Sequence, residues 1–347
     1  MTPRLHALGP GAAVCVYLLA CADISSSSPP QVPIPCQLAF VSDRRLGQED
    51  IYLMNADGSV QLLTASFGQD DWPAWSPDGR RIAFESEHGN SPVSINFDVF
   101  VMNADGTGAP TKLTSNAGDN TPASWSPTGQ QILFVRNLAG DNELYVMNAD
   151  GTGVTPLTAD TAFDGQPAWS PDGKKIAFVS TRDSGYAHIF TMTATGDSVQ
   201  QLTTGHWFDA QPAWSPDGTR LAFASNRDVT DQIYVMNADG ANPVRLTTNT
   251  AHDEGPAWSP DGRQIAFYSD RDGIDFAIYL MNADGTGAVP LTSSSPPDEL
   301  PSWSPDGGFI AFDSDADLYI IRADGMGLLQ VTSGRSIDIM PRWRPAH

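Results

Sequence analysis

A chain of 347 residues with 40% hydrophobic and 9% aromatic side chains holds enough apolar material for a sizeable core, which excludes an intrinsically disordered protein. Its 41 acidic residues against 19 basic ones leave a formal charge of -22, which argues against a nucleic-acid partner, because a phosphate binder concentrates cations. Small cations and basic partners suit that sign, although such a charge also serves solubility alone.

Residues 1–21 read as an export signal: Arg4 is a weak positive start, Ala12 to Ala20 is apolar but short for a bilayer span, and small Ala20 precedes Cys21. The run Leu18-Leu19-Ala20-Cys21 resembles the lipobox of bacterial lipoproteins. That resemblance implies a lipid on Cys21 as the first mature residue, with Ala22 permitting outer-membrane sorting; an ordinary cleaved secretory signal is the alternative. Residues 22–35 are rich in Ser and Pro, offer little to bury, and read as a tether. With Cys15 in the signal and Cys21 lipidated, Cys36 has no partner in the mature chain, so no disulfide framework is expected. The expected location is the periplasm or outer membrane, lipid-anchored if Cys21 is modified and secreted otherwise.

From residue 36 to 347 one motif recurs. "PAWSPDG" begins at Pro73 and returns at Pro167, Pro212 and Pro256, and the tryptophans Trp75, Trp125, Trp169, Trp214, Trp258, Trp303 and Trp343 are spaced by 50, 44, 45, 44, 45 and 40 residues. That period fits a four-stranded propeller blade. Each unit reads as a short strand ending in Trp, a turn at "SPDG", an alternating strand such as "QIAFYS", another such as "AIYLMN", a turn at "NADG" and a last strand such as "VRLT". Pro, Asp and Gly suit the corners of those turns, so the repeated Asp and Asn residues are read as turn formers. The Trp is large and flat enough to wedge between blades. The body opens with strands that lack a preceding Trp strand and closes with "MPRWRP", which lacks strands after it, so the two ends are predicted to complete one blade. The expectation is an all-β, seven-bladed propeller.

"WSPDG", "IAF", "SDRDG" and "IYLMNADG" together resemble the TolB-like β-propeller repeats of bacterial envelope proteins, over nearly everything after residue 35. The eponymous protein has six blades and an additional amino-terminal α/β domain, and the chain departs from it in both. The resemblance implies the fold; its members include scaffolds, binding proteins and the propeller portions of peptidases, so it does not choose a function.

Neither a G-x-S-x-G elbow nor an H-E-x-x-H pair is present. Beyond the signal, the histidines His88, His188, His206, His252 and His347 share no repeat position, although His206 and His252 precede "PAW" strands and could approach the channel mouth. A more regular signal lies three residues before each repeat proline: Asp70, Asp119, Asp164, Asp209, Asp253, Asp298 and Asp338. If these lead into the innermost strands, seven carboxylates ring one channel opening, and they must be separated, hydrogen-bonded or neutralised by cations. Loop capping explains the register without any ligand; a Ca²⁺ site or a docking ring for a basic peptide is the functional reading, with Asp71, Glu254 and Glu299 adding charge to that rim. The residues just before the prolines (Trp72, Thr121, Gln166, Gln211, Gly255, Leu300 and Met340) vary, and could fill the funnel or grip a peptide or glycan. Arg44, Arg182, Arg227 and Arg271 sit in loops and are read as binding backbone or acidic neighbours, while the longer loop from Ser86 to Asp98 is a blade-specific contact candidate.

The sequence therefore predicts a monomeric propeller that is an interaction module and not an enzyme, for an envelope protein, basic peptide or glycan, touching the membrane through an amino-terminal lipid only. The rival is a metal-dependent carbohydrate-active enzyme, a lyase or hydrolase, in which His206 or His252 converges with carboxylates in the channel.

Overall fold

The computed structural model describes residues 34, 36–45, 47–65, 68–87, 96–115, 118–138, 140–183, 185–273, 275–293 and 295–346. The signal, Cys21 and nearly all of the tether lie outside the described residues, as do residues 88–95 of the long loop, His88 and His347.

Twenty-eight strands form seven antiparallel sheets of four, and no helix occurs among the described residues. This is the expected seven-bladed propeller. Six blades are contiguous in sequence; the seventh joins Asp338–Trp343 to Leu38–Arg45, Gln48–Met54 and Val60–Leu62. The joint runs in antiparallel register from Leu38 opposite Trp343 to Ser42 opposite Asp338, so the two ends complete one blade as predicted.

The first strand of every blade touches the first strands of both neighbouring blades, from Asp70–Trp75 round to Asp338–Trp343 and back. These seven strands therefore surround the axis. Apolar side chains collect at the seven junctions between blades, one cluster at each, rather than in a single central core.

Two recurrent elements fix that packing. Each blade stacks a Phe of its second strand against an aromatic ring of its third, with centroids 5.5 to 5.8 Å apart, as in Phe267 with Tyr279. Each repeat Trp wedges against the preceding blade, and in six of the seven its Nε1 donates to a carbonyl there, for example Trp258 to Ala213 at 3.1 Å. Replacing Trp258 with Phe keeps most of the wedge but orphans that carbonyl, and should cost about 1 kcal/mol in urea unfolding. An unchanged midpoint would show that the bond contributes nothing.

The turn reading of "SPDG" holds in detail. Ser76 Oγ donates to Asp78 Oδ1 at 2.6 Å, the same oxygen accepts from Arg80 N, and Gly79 supplies the positive φ of 60°. These bonds, with the Ser76 hydroxyl first, hold the Asp78 carboxyl below its ordinary pKa. Asp172, Asp217 and Asp261 behave alike in their own turns.

Candidate binding face around the axis

Each innermost strand begins at its Asp, and the register predicted from sequence is present in every blade. The carboxylates of Asp70, Asp164, Asp209, Asp253 and Asp338 are fully buried, Asp298 nearly so, and Asp119 partly. Arginine neutralises four of them within the same blade: Arg44 reaches Asp338 at 2.8 Å, Arg182 reaches Asp164 at 2.7 Å, Arg227 reaches Asp209 at 2.9 Å, and Arg271 reaches Asp253 at 2.8 Å. The same four arginines give their Nε protons to Ser42, Ser180, Ser225 and Ser269, two residues earlier in each case. Their guanidinium groups also cover the blade's aromatic pair, as Arg227 does for Phe223 and Tyr234. Asp119 accepts from Phe97 N at 3.1 Å, and Asp298 is bonded by the hydroxyls of Ser314 and Thr292 while burial raises its pKa. The series thus enters the blades instead of standing in an open ring. Two groups of three close-set metal-capable side chains occur among the described residues, and neither contains more than one member of the series.

The next residue on each innermost strand carries the difference between blades. Paired across to the second strand, these positions read Asp71 with Glu85, Asn120 with Arg136, Gly165 with Val179, Ala210 with Ala224, Glu254 with Tyr268, Glu299 with Asp313, and Ile339 with Val41. Three blades are acidic here, one carries a guanidinium and three are neutral. Burial, then Glu49 and Glu85, pushes Asp71 up to about 7. Burial, with a smaller contribution from Asp119, takes Glu85 to about 7 against a hydrogen bond from Thr121, and burial followed by Glu299 takes Asp313 to about 7.

A bulge follows in each of these strands, and sequence reasoning missed its conformational demand. Trp72, Gln166, Gln211, Gly255, Leu300 and Met340 all have φ between 49° and 61°, a left-handed conformation. Only Gly255 adopts it freely, and a Cβ there would meet the Tyr268 ring at 2.2 Å. The other five are held by their surroundings at an expense of roughly 1 kcal/mol each. The bulge turns their side chains along the ring: Gln211 N donates to Gln166 Oε1 at 2.7 Å, and Gly255 N donates to Gln211 Oε1 at 2.8 Å. Gln211 Nε2 then reaches the Tyr268 hydroxyl, which donates to Glu254 Oε2 at 3.3 Å.

Beside that chain His252 Nδ1 lies 2.9 Å from Asp231 Oδ2, and one ligand atom each from Asp231, His252 and Glu254 falls within a 4.8 Å set. The Asp231 bond raises the His252 pKa. His206 takes no part; it is exposed and lies against Tyr186. Buried His188 bridges Asp209 Oδ2 and the Gly205 carbonyl.

A model of the TolB beta propeller domain matches residues 95–212 and 206–314, more than half of the chain. No curated protein sequence matches it. Among solved structures, TolB from Acinetobacter baumannii is 21% identical with a TM-score of 0.61, over 86% of this chain and 79% of that one. An oligogalacturonate lyase in complex with manganese is 16% identical with a TM-score of 0.65, over 85% and 84%. A puromycin-hydrolyzing peptidase of Mycobacterium tuberculosis is 15% identical with a TM-score of 0.66, over 82% of this chain but 50% of its own. Likeness at these identities is likeness of fold.

Proposed function

The chain belongs to the TolB β-propeller family, and from that premise we propose that it is an exported, lipid-anchored binding module of the cell envelope whose ligand is a basic peptide segment received beside the axis. The observation that carries this reading is the acidic set Asp71, Glu85, Glu254, Glu299 and Asp313, placed where three of the other four blades leave neutral residues and one carries Arg136. A fold that repeats its structural residues in every blade keeps function in the positions that differ. Carboxylates held near 7 by burial are primed to ionise against an incoming cation.

Calorimetric titration with a Lys- and Arg-rich octapeptide, beside its Gln-substituted analogue, tests this. The basic peptide should bind and the analogue should not, and the triple variant Glu254→Gln, Glu299→Gln, Asp313→Asn should weaken binding at least about tenfold. Because the raised carboxyls lose protons as pH climbs through 7, affinity should grow about tenfold from pH 6 to pH 8. Equal binding of both peptides, or a flat pH profile, would sink the reading.

A second reading, a metal-dependent lyase or hydrolase acting on carbohydrate, is favoured by one observation, the His252, Asp231 and Glu254 set near the axis. Titration with Mn²⁺ followed by incubation with oligogalacturonate separates the two. Metal binding lost in His252→Ala, together with sugar cleavage, would support the enzyme; a silent titration would remove it.

A further inference from the structure

The junctions between blades carry a second repeating position, the residue entering each third strand. It is Asp50, Asp98, Glu143, His188, Gln232, Ala277 and Asp317 in successive blades. The residue that follows it donates its backbone N–H to a threonine hydroxyl of the "LT" pair in every blade, as Leu144 N does to Thr158 Oγ1 at 2.9 Å. The side chain here lies close to the leading Asp of the next blade, as His188 does to Asp209, Glu143 to Asp164 and Asp317 to Asp338, an arrangement that puts an acid against an acid where it is Asp or Glu.

Most junctions relieve that opposition with residues of their own. Asp50 is bound by Arg45 at 2.8 Å and Asp98 by Lys112 at 2.7 Å. His188 stands 3.2 Å from Asp209, Gln232 donates to the Ala251 carbonyl, and Ala277 removes the group altogether. Asp317 accepts from Gln330 at 2.9 Å through Oδ2, while its Oδ1 is buried without a hydrogen bond and faces Asp338.

Glu143 differs. It is 7% exposed and its carboxyl is bonded by the Thr158 hydroxyl, yet its Oε2 is buried without a hydrogen bond, and the Oδ1 of fully buried Asp164 is in the same condition. Asp160 joins them at the rim, and one carboxylate oxygen from each of the three lies within 4.8 Å of the others. Among the described residues no other junction gathers three carboxylates. Arg182 meets Asp164 at 2.7 Å and Asp160 at 3.4 Å, which leaves one guanidinium against three carboxyl groups, and burial, with Asp164 and Asp160 beside it, raises the pKa of Glu143. A divalent cation closes that balance.

We infer that Glu143, Asp160 and Asp164 form a Ca²⁺ site at the junction between the Trp125 and Trp169 blades, outside the axial face. The donor set is all carboxylate, the chemistry a hard cation takes, with neither His nor Cys to favour zinc. Exposed Asp160 gives the ion an entrance, and solvent completes its shell on that side. Buried carboxylate oxygens that take no proton donor are otherwise expensive, and the cation removes that penalty.

The test is calorimetric titration of the whole protein with Ca²⁺ and thermal melting in Ca²⁺ and in chelator. Wild type should bind one ion in the range of roughly 0.1–1 mM or tighter, and should melt roughly 3–6 °C higher at a hundredfold excess over Kd. Glu143→Gln and Asp160→Asn should each weaken binding at least about tenfold while melting in chelator no lower than wild type, since each removes a like charge. No heat and no shift in wild type would overturn the inference, and so would Ca²⁺ binding that both variants retain unchanged. Peptide binding at the axis is read from different residues, so either proposal can fail without the other.

Discussion

A chain that stops at residue 337 is expected to lose its cooperative fold. The strand Asp338–Trp343 is the innermost member of a sheet whose other three strands lie some 300 residues earlier, and its loss leaves Leu38–Arg45 as an open edge beside the axis. Two junction clusters lose a wall together, one of them Ile339 and Met340, the other Trp343. Trp75 Nε1 loses the Arg342 carbonyl, and Arg44 loses Asp338. A buried Trp is worth about 3–5 kcal/mol and an abandoned buried ion partner as much again, which together match the whole stability of many domains. Circular dichroism melts and size exclusion read the outcome: a broad, non-cooperative transition and an expanded chain. A truncated protein that melts sharply within a few degrees of wild type would mean that six blades suffice.

Arg227→Met is expected to cost about 3–5 kcal/mol, because the thioether chain can still cover Phe223 and Tyr234 but Asp209 is left as a buried carboxylate without its guanidinium. Adding Asp209→Asn should recover part of the loss, since a neutral amide in the same place has no charge to strand. Urea unfolding of the two singles and the double closes the cycle. Additive losses would show that Arg227 contributes by packing alone, and the buried pair would drop out of the account of the fold.

The architecture was readable because its signals are local and repeated. Trp spacing set the blade count, and the unmatched strands at the two ends announced the closure. The Asp series was also readable as a register, yet not its destination. Whether a strand residue faces the axis or its own blade depends on the bulge after it, and the bulge rests on a left-handed conformation at Trp72, Gln166, Gln211, Leu300 and Met340 that those residue types do not advertise. One signal could have settled it: Arg182, Arg227 and Arg271 each follow a leading Asp by 18 residues, two places after a Ser. Read together, the Asp and the loop arginine are two halves of one internal pair. The Glu143, Asp160 and Asp164 set was out of reach, since it forms across a junction from residues of two blades. His252 was singled out from sequence for its place before a "PAW" strand, but its partner Asp231 lies 21 residues upstream in a different blade.

The shared blade also orders events in time. Six sheets are each contiguous, so each can assemble from neighbouring chain as soon as its four strands exist. The sheet begun by Leu38–Arg45 stays one strand short until Trp343 has been made, and its closure must bring together segments separated by most of the chain's length. The ring is therefore a structure that finishes last where it started first, and a nascent chain held open by a ribosome or a translocation pore keeps an unpaired strand edge available to whatever escorts it.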